Sequence, residues 1–290
     1  MTTPARPRRS VLYLPASNAR ALEKARALPA DALIVDLEDA VAPAAKEAAR
    51  AQVVAALREG GFQPREVVVR VNGLETPWGR ADLSALAGAG ADAVCLPKVE
   101  SAAAVRAAED ALVAGGAPED LALWCMIETP RGVLAAAEIG GASPRVACLV
   151  AGTSDLVKDL HARHTAGRAE VLTALSLVVL AARAHGLAAL DGVHLDLDDE
   201  PGLEAACAQG RDLGFDGKTL VHPRQIEAAN RAFAPSAAEV DAARRVIAAH
   251  AEAVAAGRGV TVVDGRLVEA LHVEEARRRV ALAEAIAARG

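Results

Sequence analysis

Short, nearly unbroken apolar runs recur along the chain, with Ala-, Glu- and Arg-rich stretches between them. The runs at 11–14 (VLYL), 32–37 (ALIVDL), 67–71 (VVVRV), 92–96 (DAVCL), 121–127 (LALWCMI), 146–150 (VACLV), 187–191 (LAALD) and 217–221 (GKTLV) predict eight strands. The segments 43–59, 99–114, 168–185 and 200–213 have helical composition. Continuous apolar strands alternating with helices belong to a parallel sheet covered on both faces. Eight such units in about 225 residues predict an α/β fold of the (β/α)8 TIM barrel type. An open dinucleotide-binding sheet would need a glycine-rich phosphate turn after its first strand. Here that turn reads LPASNAR and contains no glycine.

After the eighth unit the pattern changes. Residues 236–256 read as an Ala-rich helix, GVTVVDGRLVEAL as a short extended element, and 273–289 as a second helix. This tail exceeds what an eight-unit barrel requires. We therefore divide the chain into a catalytic barrel, 1–234, and a C-terminal helical extension, 235–290, acting as lid or oligomer arm.

Composition narrows the function. With 52% hydrophobic residues and no long charged tract, the chain has ample material for a core and no disordered segment. Its longest apolar runs, such as 177–182, fall far short of the roughly 20 residues of a membrane-spanning helix. A net charge of −6 and only six aromatic residues argue against a nucleic-acid surface, which needs cations and stacking platforms. Cys95, Cys125, Cys148 and Cys207 form no CxxC pair, and the first three sit in apolar runs as small core hydrophobes. The basic start MTTPARPRRS is not followed by the apolar region of a signal peptide. A reduced, cytoplasmic protein is expected.

In barrels of this type the functional groups gather where the strands end. Strand two ends in Asp36, Glu38 and Asp39, strand three in Arg70 and Asn72, and strand four is followed by Lys98 and Glu100. Strand five runs into Glu128, strand six into Ser154 and Asp155, and strand eight into His222. Glu128 and Asp155 follow consecutive strands, so they should be neighbours. Two carboxylates on one mouth repel unless a cation or a proton separates them, and Mg²⁺ suits such a pair. The alternative is a pair of local caps, with Asp155 opening the helix that follows. Arg70, in a Val-rich strand, is either a buried partner of a neighbouring acid or a two-pronged clamp on a substrate oxyanion. Only five of the 32 basic residues are lysines, three of them Lys24, Lys98 and Lys218; ordinary ion pairing would account for each. His161 and His164 lack the further ligands of a zinc site, and DLDDE at 196–200 reads as a solvated loop opening a helix. Neither a GxSxG elbow nor a Walker loop occurs.

Nine segments in order carry a family resemblance: RSVLYLPASNARALEKA (9–25), DLEDAVAPAAKEAAR (36–50), VRVNG (69–73), LPKVE (96–100), IETPRG (127–132), GTSDL (152–156), LDGVHLDLDD (190–199), GFDGKTLVHPRQI (214–226) and DGRLVEA (264–270). Together they resemble the citrate lyase β-subunit-like CoA-ester lyases of the HpcH/HpaI aldolase superfamily, which include malyl-CoA and citramalyl-CoA lyases.

The resemblance implies Mg²⁺, or Mn²⁺, on Glu128 and Asp155, with Arg70 and Ser154 joining them at the substrate. It implies CoA contacts around Tyr13, Lys24 and the segment Leu220, Val221, His222. Its lid carboxylate falls on Glu269, where the lyases offer an aspartate, and malyl-CoA lyases tend to have arginine where this chain has Asn18. The implied chemistry is reversible carbon–carbon cleavage of a 3-hydroxyacyl-CoA such as malyl-, citramalyl- or citryl-CoA to acetyl-CoA and a 2-oxo acid. Arg70 and Glu269 would be catalytic in a homo-oligomer, a trimer or hexamer, whose tails reach a neighbour's site. Two other readings stand beside it. A CoA-independent 2-oxo-acid aldolase is disfavoured because DLEDAV lacks the histidine that branch uses. A CoA-binding or thioester-hydrolysing relative would fit the altered lid carboxylate.

Overall fold

The computed structural model describes residues 6–289. The chain divides into two compact units, one spanning Arg8–Ala232 and the other made chiefly of the segment from Phe233 on. In the first unit eight parallel strands close into a barrel in sequence order: β1 (Ser10–Pro15), β2 (Ala32–Asp36), β3 (Glu66–Arg70), β4 (Ala93–Leu96), β5 (Ala122–Ile127), β6 (Val146–Ala151), β7 (Ala188–Asp191) and β8 (Gly217–Leu220). Every expected strand is present, within a residue or so of its expected ends.

Helices fill the connections: α1 (Ala19–Ala25), α2 (Lys46–Glu59), α3 (Gly79–Leu86), α4 (Ala102–Ala114), α5 (Pro130–Leu134), α6 (Ala136–Gly140), α7 (Thr153–Asp159), α8 (Leu172–Ala184), α9 (Glu200–Leu213) and α10 (Ile226–Phe233). Local signals start several of them. Asn18, Ser101, Thr129 and Asp199 each accept a main-chain N–H from the first turn of α1, α4, α5 and α9. DLDDE thus ends in a helix cap. Gly214 closes α9 at φ 100°, a left-handed conformation that glycine adopts without strain.

Side chains alternate across each strand, so every second residue fills the barrel. Ile34, Val68, Cys95, Trp124, Met126, Cys148, Val150 and Leu190 form that interior. The alternation carries polar residues to the mouth: Asp36 continues the row of Ala32 and Ile34, Arg70 that of Val68, and Glu128 that of Trp124 and Met126. All four cysteines are free and buried; Cys95, Cys125 and Cys148 are the small core residues expected, and Cys207 joins them.

In the second unit α11 (Ala237–Ala255) packs on α12 (Ala270–Ala287), with an antiparallel hairpin of β9 (Thr261–Val263) and β10 (Arg266–Val268) between them in sequence. The extended element is therefore a hairpin. Its turn, Asp264–Gly265, has φ 48° and 75°, the conformation that an Asp-Gly pair favours. No helix among the described residues is long and apolar enough to cross a membrane.

Candidate active site

The mouth of the barrel opens on a cavity of about 450 Å³. Tyr13, Arg70, Glu128, Ser154, Asp155 and Val221 line it together, joined by Asp36, Asp39, Met126, Gly152 and Thr153. Eight of the residues singled out in the sequence, Asp36 and Asp39 among them, thus meet in one place.

Arg70 is 7% exposed. In-register pairing of β2 and β3 sets Asp36 opposite it. Its Nε and Nη2 donate to the two oxygens of Asp36, both at 2.7 Å. Nη1 lies 2.9 Å from Glu38 and 3.5 Å from Asp39, and the guanidinium sits 5.1 Å from the centre of the Tyr13 ring. The two-pronged face expected to clamp substrate is therefore filled by Asp36. Arg70 also lines the cavity, so the buried pair and a cavity-lining position coexist in one side chain.

Glu128 is 1% exposed. Its Oε1 accepts the Lys98 main-chain N–H at 2.7 Å. Its Oε2 lies over Gly152, where a Cβ would come within 2.4 Å of it, so only glycine lets the two loops approach this closely. Burial pushes the Glu128 carboxyl up to about 7, against the Lys98 amide and Arg70, which favour its charge. Asp155 sits in the first turn of α7, whose N-cap is Gly152, so it is not the cap of that helix. Its carboxylate is half-buried, with Lys158 at 3.9 Å.

A cation fits here. Glu128 is a buried carboxylate whose charged form lacks solvation, and a second carboxylate lines the same cavity. Among the described residues no cluster of three or more His, Cys, Asp or Glu forms a complete metal cage. Two carboxylates with remaining positions left to water and substrate oxygens are the donor set Mg²⁺ takes.

Other singled-out residues lie elsewhere. Lys24 is exposed on α1, Leu220 is fully buried in β8, and exposed His222 accepts the Arg224 N–H at 3.2 Å; none lines the cavity. Asn72 is buried against Asp82. Lys218 is buried against Asp191, which also receives Arg168. Glu269 is the N-cap of α12, and its own N–H donates to His272 Nδ1 at 3.0 Å. Sequence reasoning passed over Met126, whose Sδ lies 3.7 Å from both the Tyr13 hydroxyl and Arg70 Nη1. Its place two residues before Glu128 in β5 was the available signal.

The sequence pattern of the HpcH/HpaI aldolase/citrate lyase family matches residues 9–223. The chain belongs to that family of enzymes. Among its relatives is the (3S)-malyl-CoA thioesterase of Cereibacter sphaeroides (strain KD131 / KCTC 12085), 54% identical over 288 residues and 99% of each chain. The citrate lyase subunit beta of Escherichia coli (strain K12) is 38% identical over 284 residues, 96% of this chain and 94% of that one. Among solved structures, the Mycobacterium tuberculosis protein CitE in complex with magnesium, acetoacetate and coenzyme A matches with a TM-score of 0.76. It is 35% identical and covers 97% of this chain and 98% of its own.

Proposed function

We propose that this enzyme hydrolyses the CoA thioester of a short hydroxydicarboxylic acid, with (3S)-malyl-CoA as the model substrate. The observation that carries this reading is one cavity joining Arg70 to a buried glutamate held by a main-chain amide and to a second carboxylate. Such a site takes a divalent cation and an anionic substrate together. Identity of 54% over the full length with a (3S)-malyl-CoA thioesterase, against 38% with a citrate lyase β subunit, favours hydrolysis as the net reaction.

Glu128 and Asp155 would hold Mg²⁺, or Mn²⁺ in its stead. A bound cation polarises substrate oxygens and keeps both carboxylates ionised. Arg70, anchored by Asp36, turns its Nη1 charge to the substrate carboxylate or to the oxygen that gains charge at the thioester. Ser154 offers a hydroxyl to the same anion. Water adds to the thioester carbonyl carbon and gives a proton to a carboxylate; the carbon–sulfur bond then breaks. The sulfur leaves with that proton, so the products are the free hydroxy acid and CoA. Glu269 is the carboxylate we assign to this proton, reaching a neighbouring subunit's site in a homo-oligomer. Tyr13 and the β8 edge at Val221 line the approach of the acyl-CoA.

A second reading, carbon–carbon cleavage to acetyl-CoA and glyoxylate, is favoured by the citrate lyase β relatives. One experiment separates the two. Purified protein with (3S)-malyl-CoA and Mg²⁺ should release free thiol and malate in equal amounts, without glyoxylate. Glyoxylate and acetyl-CoA in equal amounts, without free thiol, would replace hydrolysis by lysis. For the lid, mixed oligomers of Arg70→Ala and Glu269→Ala, each inactive alone, should regain part of the activity. No recovery in verified mixed oligomers refutes action across subunits.

A further inference from the structure

We propose that Lys98 is a positioning residue: its main chain holds the Glu128 carboxylate, and its side chain locks that main chain in a conformation it would otherwise leave. The proposal rests on the reading of Glu128 and Asp155 as the ligands of a divalent cation. Lys98 does not line the cavity, so it acts through Glu128 and not on substrate.

Just beyond β4 the chain turns at Lys98 with φ 46°, in the left-handed region that side-chain-bearing residues seldom occupy. The turn aims two successive N–H groups at the tip of β5. Lys98 N–H reaches Glu128 Oε1 at 2.7 Å, and Val99 N–H reaches the Met126 carbonyl at 3.2 Å. The β5 side closes in from beyond: a Cβ on Gly132 would lie 2.5 Å from the Val99 carbonyl oxygen. The two loops are therefore fitted to this one backbone conformation.

Glycine would adopt that conformation without strain. A lysine here has a use for its side chain. Nζ lies 2.6 Å from Glu38 Oε1, and the other oxygen of Glu38 lies 2.9 Å from Arg70 Nη1. One carboxylate from the loop after β2 thus ties the Arg70 guanidinium to the residue whose amide holds Glu128. The Glu128 and Arg70 sides of the cavity share this link. Outer contacts that orient a ligating group typically change metal affinity 10- to 100-fold when removed.

The test is Mn²⁺ binding to the full-length protein without substrate, read by electron paramagnetic resonance, in wild type, Lys98→Met, Glu38→Gln and Glu128→Gln. Lys98→Met should weaken Mn²⁺ about 10-fold, and Glu38→Gln should weaken it in the same direction, since both unpin one turn. If Lys98→Met does not fold, Glu38→Gln decides alone. Mn²⁺ affinity within about twofold of wild type in both variants, while Glu128→Gln loses binding, would overturn the role of Lys98 and leave the cation site standing. Absence of Mn²⁺ binding by the wild type would overturn both the cation site and this inference.

Discussion

Asp191 and Glu128 are acids at the ends of barrel strands, 0% and 1% exposed, and folding treats them in opposite ways. Asp191 follows Leu190, an interior residue, and so turns to the helix layer. There Arg168 Nη1 donates to its two oxygens at 2.8 and 2.7 Å, and Lys218 Nζ reaches one of them at 3.0 Å. Gln209 and the Ala206 carbonyl hold Arg168 in turn. Glu128 keeps step with Trp124 and Met126 and turns to the cavity. It receives a main-chain N–H, and burial pushes its carboxyl up to about 7. A buried charge must be compensated within the fold or by something that arrives later. Asp191 is compensated by the fold. Glu128 is left facing the cavity, and its proposed partner is a cation.

The sharpest way to break this contrast is to remove each acid. Glu128→Ala should abolish turnover of (3S)-malyl-CoA, by about 10³-fold or more, if a Lewis acid worth several kcal/mol leaves with it. The variant should stay folded by circular dichroism, and chelation of the wild type should do the same to turnover, with Mg²⁺ restoring it. Full turnover in chelator would erase the contrast. Asp191→Asn should instead cost about 3–5 kcal/mol of stability in denaturant unfolding, because the buried Lys218 and the partly buried Arg168 lose their counter-charge. A neutral outcome there would show that the helix layer solvates Arg168 and Lys218 without it.

Arg70 straddles the two cases, paired by the fold and facing the cavity. Arg70→Lys keeps the charge and loses the planar fork that grips Asp36, so kcat should fall roughly 10- to 100-fold and Tm should fall as well. A rise in KM alone, with kcat and Tm unchanged, would make Arg70 a simple anchor for substrate.

The smallest effect is a pH dependence. The Glu128 carboxyl is raised in the folded chain from its ordinary 4.5 to about 7. The folded state then holds a proton that the unfolded state releases, so this acid favours folding below about 4.5 and that contribution is lost as pH rises toward 7. A cation replaces the proton. The gain in Tm given by Mg²⁺ should therefore grow between about pH 5 and about pH 8 in thermal-shift measurements. A Mg²⁺ gain independent of pH would remove Glu128 from the ligand set.

Seven of the eight strands were legible as nearly continuous apolar runs, as strands covered on both faces must be, while GKTLV carries Lys218 and Thr219. The acids and bases at their tips were legible for the same reason, since a polar residue ending such a run stands out. The hairpin of the tail was less so: TVVDGRLV reads as one extended stretch until its Asp-Gly turn is given weight. Family membership was readable from nine ordered segments, since each constrains residue types at fixed spacing.

What no local pattern carried is which tip residues face one another. Arg70 and Asp36 are 34 residues apart, and Lys98 and Glu38 are 60 apart; closure of the barrel and the register of β2 on β3 make them partners. The same holds for Lys98, an ordinary lysine in sequence whose left-handed backbone, at φ 46°, no local pattern announces. Sequence alone determined the strands, the helices and the set of reactive side chains, because hydrophobic periodicity and composition are local. Which acid meets cations of its own fold and which faces the cavity is a matter of distance and burial, and those exist only once the chain has closed on itself.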